Sequence, residues 1–189
     1  MAISVPARRL TLDEFLALPE AEPPLELEPD GTVAEKVSPK GRHSTLQYTL
    51  TAHINRFAQP VRLAFAFPEL RVTFGGVSRI PDVAVYRWDR VPRTPDGRVA
   101  DDFLTPPDMA VEIVSPDQRV TALIRRCLWY VANGVRIALL VDPHDESVLL
   151  FRAGADMVVL RGADAIDLTD VLPRFTHTVG ELFNALTLD

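Results

Sequence analysis

Four segments of the chain repeat hydrophobic residues at helical spacing, and we expect each of them to form an α-helix. They are residues 11–18, the stretch from Gly41 to Phe57, residues 115–132 and residues 179–186. Thr11 and Glu14, at the start of the first segment, have the spacing of a capping box. In the second segment, one apolar face is formed by Leu46, Leu50, Ile54 and Phe57.

Strand patterns fill most of the chain between these helices. The run LELE-PDG-TVAEKV, from Leu25 to Val37, alternates apolar and polar residues around a turn and predicts a β-hairpin. Further strands are expected at residues 63–67, 70–74, 80–86, 109–114, 137–141, 148–152 and 157–160. This order predicts an α/β protein on the boundary with α+β, with a mixed central sheet flanked by helices and preceded by a helix and a hairpin. A single domain over residues 1–189 fits this length.

Composition excludes several kinds of protein. The 189 residues include one cysteine, Cys127, so neither an internal disulfide nor a cysteine-based metal cluster can form. The longest stretch without Asp, Glu, Lys or Arg, His43 to Asn55, is too short to span a bilayer, and the first ten residues lack an apolar signal core. We therefore expect a cytoplasmic protein without a membrane partner.

The charges are unevenly distributed along the chain. The net charge is −6, yet residues 41–136 carry 13 basic and 9 acidic side chains, and this basic centre is compatible with an anionic partner. Of the 20 basic residues, 18 are arginine, so any chemistry that needs a lysine must use Lys36 or Lys40.

Two acidic residues stand in strands that are otherwise apolar. Glu112 lies within MAVEIV, a run typical of a strand buried on both faces, and Asp82 begins the apolar run PDVAVY. A buried carboxylate needs a cation, and two of them on neighbouring strands could hold Mg²⁺ or Mn²⁺. The alternative is structural: Glu112 could pair with an arginine, and Pro-Asp occurs five times in this chain.

The order of these segments resembles a known bacterial family. The order is similar to that of restriction-endonuclease-like proteins of the PD-(D/E)xK nuclease superfamily. The segments are, in turn, IPDVAVY, a variable loop, PPDMAVEIVSP, a helix carrying Tyr130, NGV and LLVDP. The resemblance implies a magnesium-dependent endonuclease acting on nucleic acid, more often DNA, with Asp82 and Glu112 as metal ligands and catalytic acids. It also implies supporting roles for Glu26, His43 and Tyr130, and it makes a homodimer plausible.

The lysine of this superfamily is replaced in the present chain. The position two residues after Glu112 is Val114, and the family's lysine position on the following helix is Arg126. Arginine can stabilise phosphate charge but does not release a proton. Arg126 is therefore the third predicted catalytic residue, and its presence in place of lysine could impair the enzyme. Alternatively, Arg126 pairs with the acids in place of a metal, or Lys36 or Lys40 supplies the amine. A nuclease fold without activity, acting as a binding module for nucleic acid or protein, is the second hypothesis.

Several basic and aromatic residues are candidates for contact with nucleic acid. The loop of residues 87–107 is long, and arginines beside an aromatic ring can hold phosphates and stack on bases. A solvated surface loop or a dimer contact is the alternative. The candidates are Arg87, Trp88, Arg90 and Arg93 of this loop, together with Arg119 before the third helix.

Overall fold

The computed structural model describes residues 9–116 and 118–188. Within these ranges there are four α-helices: α1 (Leu12–Leu16), α2 (Gly41–Ala58), α3 (Val120–Ala132) and α4 (Val179–Phe183). The described strands are β1 (Leu25–Leu27), β2 (Val33–Glu35), β3 (Ala64–Pro68), β4 (Val72–Phe74), β5 (Val77–Arg79), β6 (Val83–Arg87), β7 (Met109–Ile113), β8 (Ile137–Asp142), β9 (Ser147–Arg152) and β10 (Val158–Arg161). The predicted α/β class is confirmed.

The strands form two sheets. The smaller sheet has the order β2-β1-β5-β4 and contains the predicted hairpin. The larger sheet has the order β10-β9-β8-β7-β6-β3, and it is mixed because β7 and β8 run parallel while the other neighbours are antiparallel. The sequence predicted one central sheet, so the separate sheet around the hairpin is a correction.

The larger sheet separates two hydrophobic cores. Leu46, Leu50 and Ile54 of α2 pack with the odd-numbered residues of β6 and β7 on one face. Leu123, Cys127 and Val131 of α3 pack with the even-numbered residues Ala84 and Ala110 on the other. Because successive side chains of a strand point to opposite faces, Glu112 shares the α3 face with Ala110. Burial on both faces explains why MAVEIV is apolar almost throughout.

Three predicted boundaries were wrong. The expected strand 80–86 begins only at Val83, because Ile80 to Asp82 connects the two sheets, and the strand Val77–Arg79 of the smaller sheet was not predicted. The helix expected from residue 115 begins at Val120, after a turn in which the Gln118 side chain accepts the Ser115 N–H. The last helix changes to a 3₁₀ turn after Phe183.

A helix that crosses a bilayer must be both long and apolar. Within residues 9–116 and 118–188, none of the helices combines the length and the hydropathy that crossing a bilayer requires.

Candidate functional site

A three-residue connector between the two sheets, Ile80 to Asp82, forms the centre of the candidate site. It carries the chain from β5 in the smaller sheet to β6 in the larger one. The hairpin holds this connector from one side, because Glu26 Oε1 accepts the Ile80 N–H at 2.7 Å and Lys36 Nζ donates to the Ile80 carbonyl at 2.7 Å. Hairpin side chains and strand carboxylates therefore meet at the junction of the two sheets.

The Asp82 carboxylate is buried and has a partner on each oxygen. Oδ1 lies 2.6 Å from Lys36 Nζ, and Oδ2 accepts the Ile113 N–H at 2.6 Å and lies 3.0 Å from His43 Nε2. Burial acts to raise the pKa of Asp82, but the hydrogen bond from His43 and the charge of Lys36 outweigh it, so the pKa lies below its usual value. Asp82 is consequently an anion with a fixed orientation.

Lys36, directly after β2, brings an amine to this carboxylate. Its side chain is only 12% exposed. Burial acts to lower the pKa of Lys36, yet the nearby charges of Asp82 and Glu112 raise it above its usual value. The amine is therefore a positive ammonium group beside both acids.

Glu112 lies in β7, next to Ile113, the residue that donates to Asp82. Glu112 is 2% exposed, and its Oε1 accepts a hydrogen bond of 2.7 Å from the Tyr130 hydroxyl of α3. Burial raises the pKa of Glu112 more than the charges of Arg126 and Lys36 lower it. Burial, followed by the charge of Glu112, also raises the pKa of Tyr130, which keeps its hydroxyl a donor.

Arg126 of α3 is held mainly by the hairpin acids. It donates to Glu26 through both terminal nitrogens, at 3.1 and 2.9 Å, and to Glu28 at 2.8 Å, whereas Glu112 Oε1 lies farther away at 3.6 Å. Despite burial, the charges of Glu112 and Glu26, together with the hydrogen bonds to Glu26, raise the pKa of Arg126 above its usual value. Its charge is thus shared among three carboxylates, and no ion pair with Asp82 is found among the described residues.

Arg79 completes this group of charges. It pairs with Glu28, and its guanidinium stacks 4.6 Å from the ring centroid of Trp129. The cluster at the junction consequently contains four carboxylates and three permanent cations: Glu26, Glu28, Asp82 and Glu112 with Lys36, Arg79 and Arg126. The negative charges exceed the positive ones by one, apart from His43.

The donor set fits a hard divalent cation at Asp82 and Glu112. Both side chains are buried carboxylates, Mg²⁺ prefers such oxygens and retains several waters, and the cluster lacks one positive charge. Within the described ranges, no group of three or more His, Cys, Asp or Glu side chains is placed to hold a metal ion. Protein ligands would thus be few, and water or substrate oxygens would have to complete the coordination.

A cavity of about 520 Å³ lies beside the cluster, between the hairpin and α3. Lys36 and Arg126 line it, together with Arg119, Arg125 and Trp129. Arg119 and Arg125 are exposed, and no ion pair is recorded for either within the described residues. The cavity therefore has a basic wall on α3 that is available to an anionic ligand.

The arginine-rich loop lies elsewhere. Asp82 precedes the first residue of β6, whereas Arg87 is its last residue, about 17 Å away for an extended strand. Arg90 binds the buried Asp108 at 2.7 Å, and Arg93 stacks on Trp88 at 5.5 Å and donates to its carbonyl. The structure does not bring these four predicted residues to the acids, and their side chains mainly hold the loop together.

The remaining predicted site residues do come together. One cluster of hydrogen bonds and ion pairs, completed by Lys36, contains Asp82, Glu112, Arg126, Glu26, His43 and Tyr130, and Arg119 lies at the adjoining cavity. Sequence reasoning missed Glu28 and Arg79. The Glu26-x-Glu28 alternation in the hairpin was a signal for Glu28, because two residues at this spacing share a face.

Two comparisons with known proteins place the chain in a family and match its fold. Residues 12–180 match the model of the Uma2 family, described as "Putative restriction endonuclease". A crystal structure of a "putative nuclease belonging to DUF820" from Anabaena variabilis is 36% identical to this chain, with a TM-score of 0.90. That likeness covers 94% of this chain and 99% of the other. No curated protein matches the sequence.

Proposed function

Because the chain belongs to the Uma2 family of putative restriction endonucleases, we propose that it is a metal-dependent endonuclease that hydrolyses phosphodiester bonds in DNA. The observation that carries this proposal is the position of Lys36. Its ammonium group lies 2.6 Å from Asp82, beside the buried Glu112, so two acids and one lysine meet as the chemistry of the superfamily requires.

Asp82 and Glu112 would hold Mg²⁺ or Mn²⁺, and the bound ion would lower the pKa of a water molecule and neutralise charge on the phosphoryl group. The chain keeps both acids in position. His43 and the Ile113 N–H fix Asp82, and the Tyr130 hydroxyl fixes Glu112. Fixed ligands reduce the reorganisation needed when charge develops on the phosphate.

Lys36 supplies the positive charge at the attacked phosphate, the role that was expected of Arg126. Its amine is protonated in this arrangement, so it acts as a positive charge toward the attacked phosphate rather than as a base. Arg126 is bound by Glu26 and Glu28 and positions the hairpin that carries Lys36. The arginine is therefore no sign of an impaired site.

The exposed arginines of α3 would contact the nucleic acid backbone. Arg119 and Arg125 face the cavity beside the acids, where phosphates of a bound strand would lie. Homodimerisation and a cytoplasmic location stay predictions, and analytical ultracentrifugation tests the first.

A binding module without cleavage is the second candidate. The observation in its favour is that Lys36 and Arg126 already pair with the acids, so the cluster is nearly balanced without a metal. Such a protein would bind DNA through the same arginines and would leave it intact.

The test is cleavage of plasmid and single-stranded DNA with Mg²⁺ or Mn²⁺. We expect Glu112→Gln and Lys36→Met each to lower the rate about 100-fold or more, and Arg126→Lys to retain activity. Arg56→Met and Glu146→Gln, which change exposed charges outside the site, are matched controls. Far-UV circular dichroism verifies that each variant is folded.

Each result separates the hypotheses. Activity that appears only in Arg126→Lys would identify a disabled nuclease and refute the role of Lys36. If every variant binds DNA and none cleaves it, the binding module is correct. Mn²⁺ binding followed by electron paramagnetic resonance gives a second readout, because Glu112→Gln should weaken it even where cleavage is undetectable.

A further inference from the structure

The Asp82 carboxylate already has a donor on each of its oxygens. Oδ2 accepts the Ile113 N–H at 2.6 Å and lies 3.0 Å from His43 Nε2, whereas Oδ1 lies 2.6 Å from Lys36 Nζ. Lys36 is the one donor recorded on Oδ1 within the described residues, so Oδ1 is the less crowded oxygen for a metal ion. Mg²⁺ binds oxygen at about 2.1 Å, so an ion on Oδ1 would lie within about 5 Å of the ammonium group.

Of the three donors to Asp82, Lys36 is the one that can move away. The Ile113 N–H belongs to the backbone of β7, which pairs with β8, and the His43 ring is only 5% exposed. The Lys36 side chain is 12% exposed, and a flexible four-carbon stem carries its ammonium group. It also lines the cavity of about 520 Å³ between the hairpin and α3. The ammonium group therefore has both the freedom and the space to leave Asp82.

The charge balance of the cluster favours such a movement when a divalent cation binds. The four carboxylates exceed the three permanent cations by one charge, and a divalent ion would turn this into an excess of one positive charge. Repulsion between two cations within about 5 Å of each other is strong in a buried site, where water screens little. Lys36 relieves this repulsion by moving into the cavity, where its charge stays available to an anion.

We propose that the Lys36 ammonium is a displaceable counter-ion of Asp82, which leaves this carboxylate for the adjoining cavity when a divalent cation binds at Asp82 and Glu112. The inference rests on the proposed nuclease function, because it concerns the same acids and the same lysine. In the cavity, the ammonium group meets the phosphate of a bound strand. Lys36 and the cation consequently weaken each other's binding to Asp82, and metal binding prepares the site for its substrate.

The first experiment follows the lysine side chains by NMR in the absence of DNA, so cleavage plays no part. Lys36 and Lys40 are the two lysines of the chain, so ¹⁵N-labelled lysine gives two ammonium signals, which Lys40→Arg distinguishes. Without metal, the Lys36 protons should exchange slowly with water, because Nζ is bound to Asp82 and to the Ile80 carbonyl. Mg²⁺ should shift this signal and speed its proton exchange toward that of the exposed Lys40, the internal control. Slow exchange that persists while Mg²⁺ saturates the site would overturn the proposal.

The second experiment measures Mn²⁺ affinity by electron paramagnetic resonance. Lys36→Met removes the competing cation and should bind Mn²⁺ about tenfold more tightly or more, although it cleaves DNA more slowly. Lys40→Met removes the same charge from an exposed position, so its Mn²⁺ affinity should stay within about twofold of the wild type. Equal or weaker Mn²⁺ binding by folded Lys36→Met would contradict the proposal. The NMR experiment uses the wild-type side chain and does not depend on the folding of this variant.

The outcomes separate this inference from the proposed function. Metal binding that leaves the Lys36 ammonium in slow exchange overturns the inference and leaves the nuclease in place. Displacement of Lys36 in a protein that never cleaves DNA refutes the nuclease and leaves the inference in place. A wild-type protein that binds neither Mg²⁺ nor Mn²⁺ refutes both.

Discussion

Replacing Arg126 with methionine removes the cation that holds the hairpin acids against α3. Methionine keeps the apolar part of the side chain and nearly the same helix propensity, so the change isolates the charge. Three hydrogen bonds of 2.8–3.1 Å to Glu26 and Glu28 are lost. Glu28 keeps Arg79 as a partner and is 26% exposed. Glu26 is only 3% exposed, and among the described residues the Ile80 N–H is the one hydrogen-bond donor that remains to it.

The expected loss of unfolding free energy follows from the deeper burial of Glu26. Removing one partner of a buried ion pair costs about 3–5 kcal/mol, because the other charge stays buried without compensation. Arg126 itself is 14% exposed, which admits some water, so we expect about 3 kcal/mol for Arg126→Met. In the double variant Arg126→Met/Glu26→Gln, the buried carboxylate that has lost its cation is replaced by a neutral amide. Its loss of unfolding free energy should therefore be about 2 kcal/mol smaller than the sum of the two single losses.

Urea unfolding at pH 7, followed by far-UV circular dichroism, measures these differences. With a slope of about 2 kcal/mol per M, the midpoint of Arg126→Met should fall by about 1.5 M. Arg125→Met is the matched control, since Arg125 is exposed and has no recorded ion pair in the described part of the chain, and it should cost less than about 0.5 kcal/mol. A loss below about 1 kcal/mol for Arg126→Met, or full additivity with Glu26→Gln, would refute the buried network.

Three further predictions concern other buried polar groups. Tyr130→Phe removes the 2.7 Å hydrogen bond to Glu112 and should lower the free energy of unfolding by about 1–3 kcal/mol in the same assay; an unchanged value would contradict the contact. Asp108→Asn weakens the 2.7 Å ion pair with Arg90 and should speed amide hydrogen exchange in residues 88–107, and unchanged exchange would show that other contacts hold the loop. Burial lowers the pKa of His177 below its usual 6.5, so the unfolded chain takes up the proton first and stability should fall as the pH drops below about 6.5. His177→Gln should flatten that part of the stability profile, and an identical profile would exclude His177 as its source.

Local patterns predicted much of the fold. The capping box of α1, the hairpin and the long apolar face of α2 depend on neighbouring residues, and the structure contains each of them. The strand Val77–Arg79 was not predicted, because its three residues are too few and too polar to show an alternating pattern, and its pairing with β1 and β4 depends on the tertiary fold. Likewise, the helix expected from residue 115 begins only at Val120, because the Gln118 side chain accepts the Ser115 N–H in a turn that precedes α3.

The sequence by itself indicated two candidate acids, and only the tertiary structure decided which charges pair. An acid in an apolar strand needs a partner wherever the chain folds, so Asp82 and Glu112 were identifiable from their neighbours alone. The partner depends on distances across the fold: Lys36 reaches Asp82 over 46 positions of the chain, and Arg126 reaches Glu26 over 100. Coulombic attraction depends on separation in space and on burial, and neither is recorded in the order of the residues. For the same physical reason the arginines after β6, near Asp82 in sequence, lie at the far end of that strand.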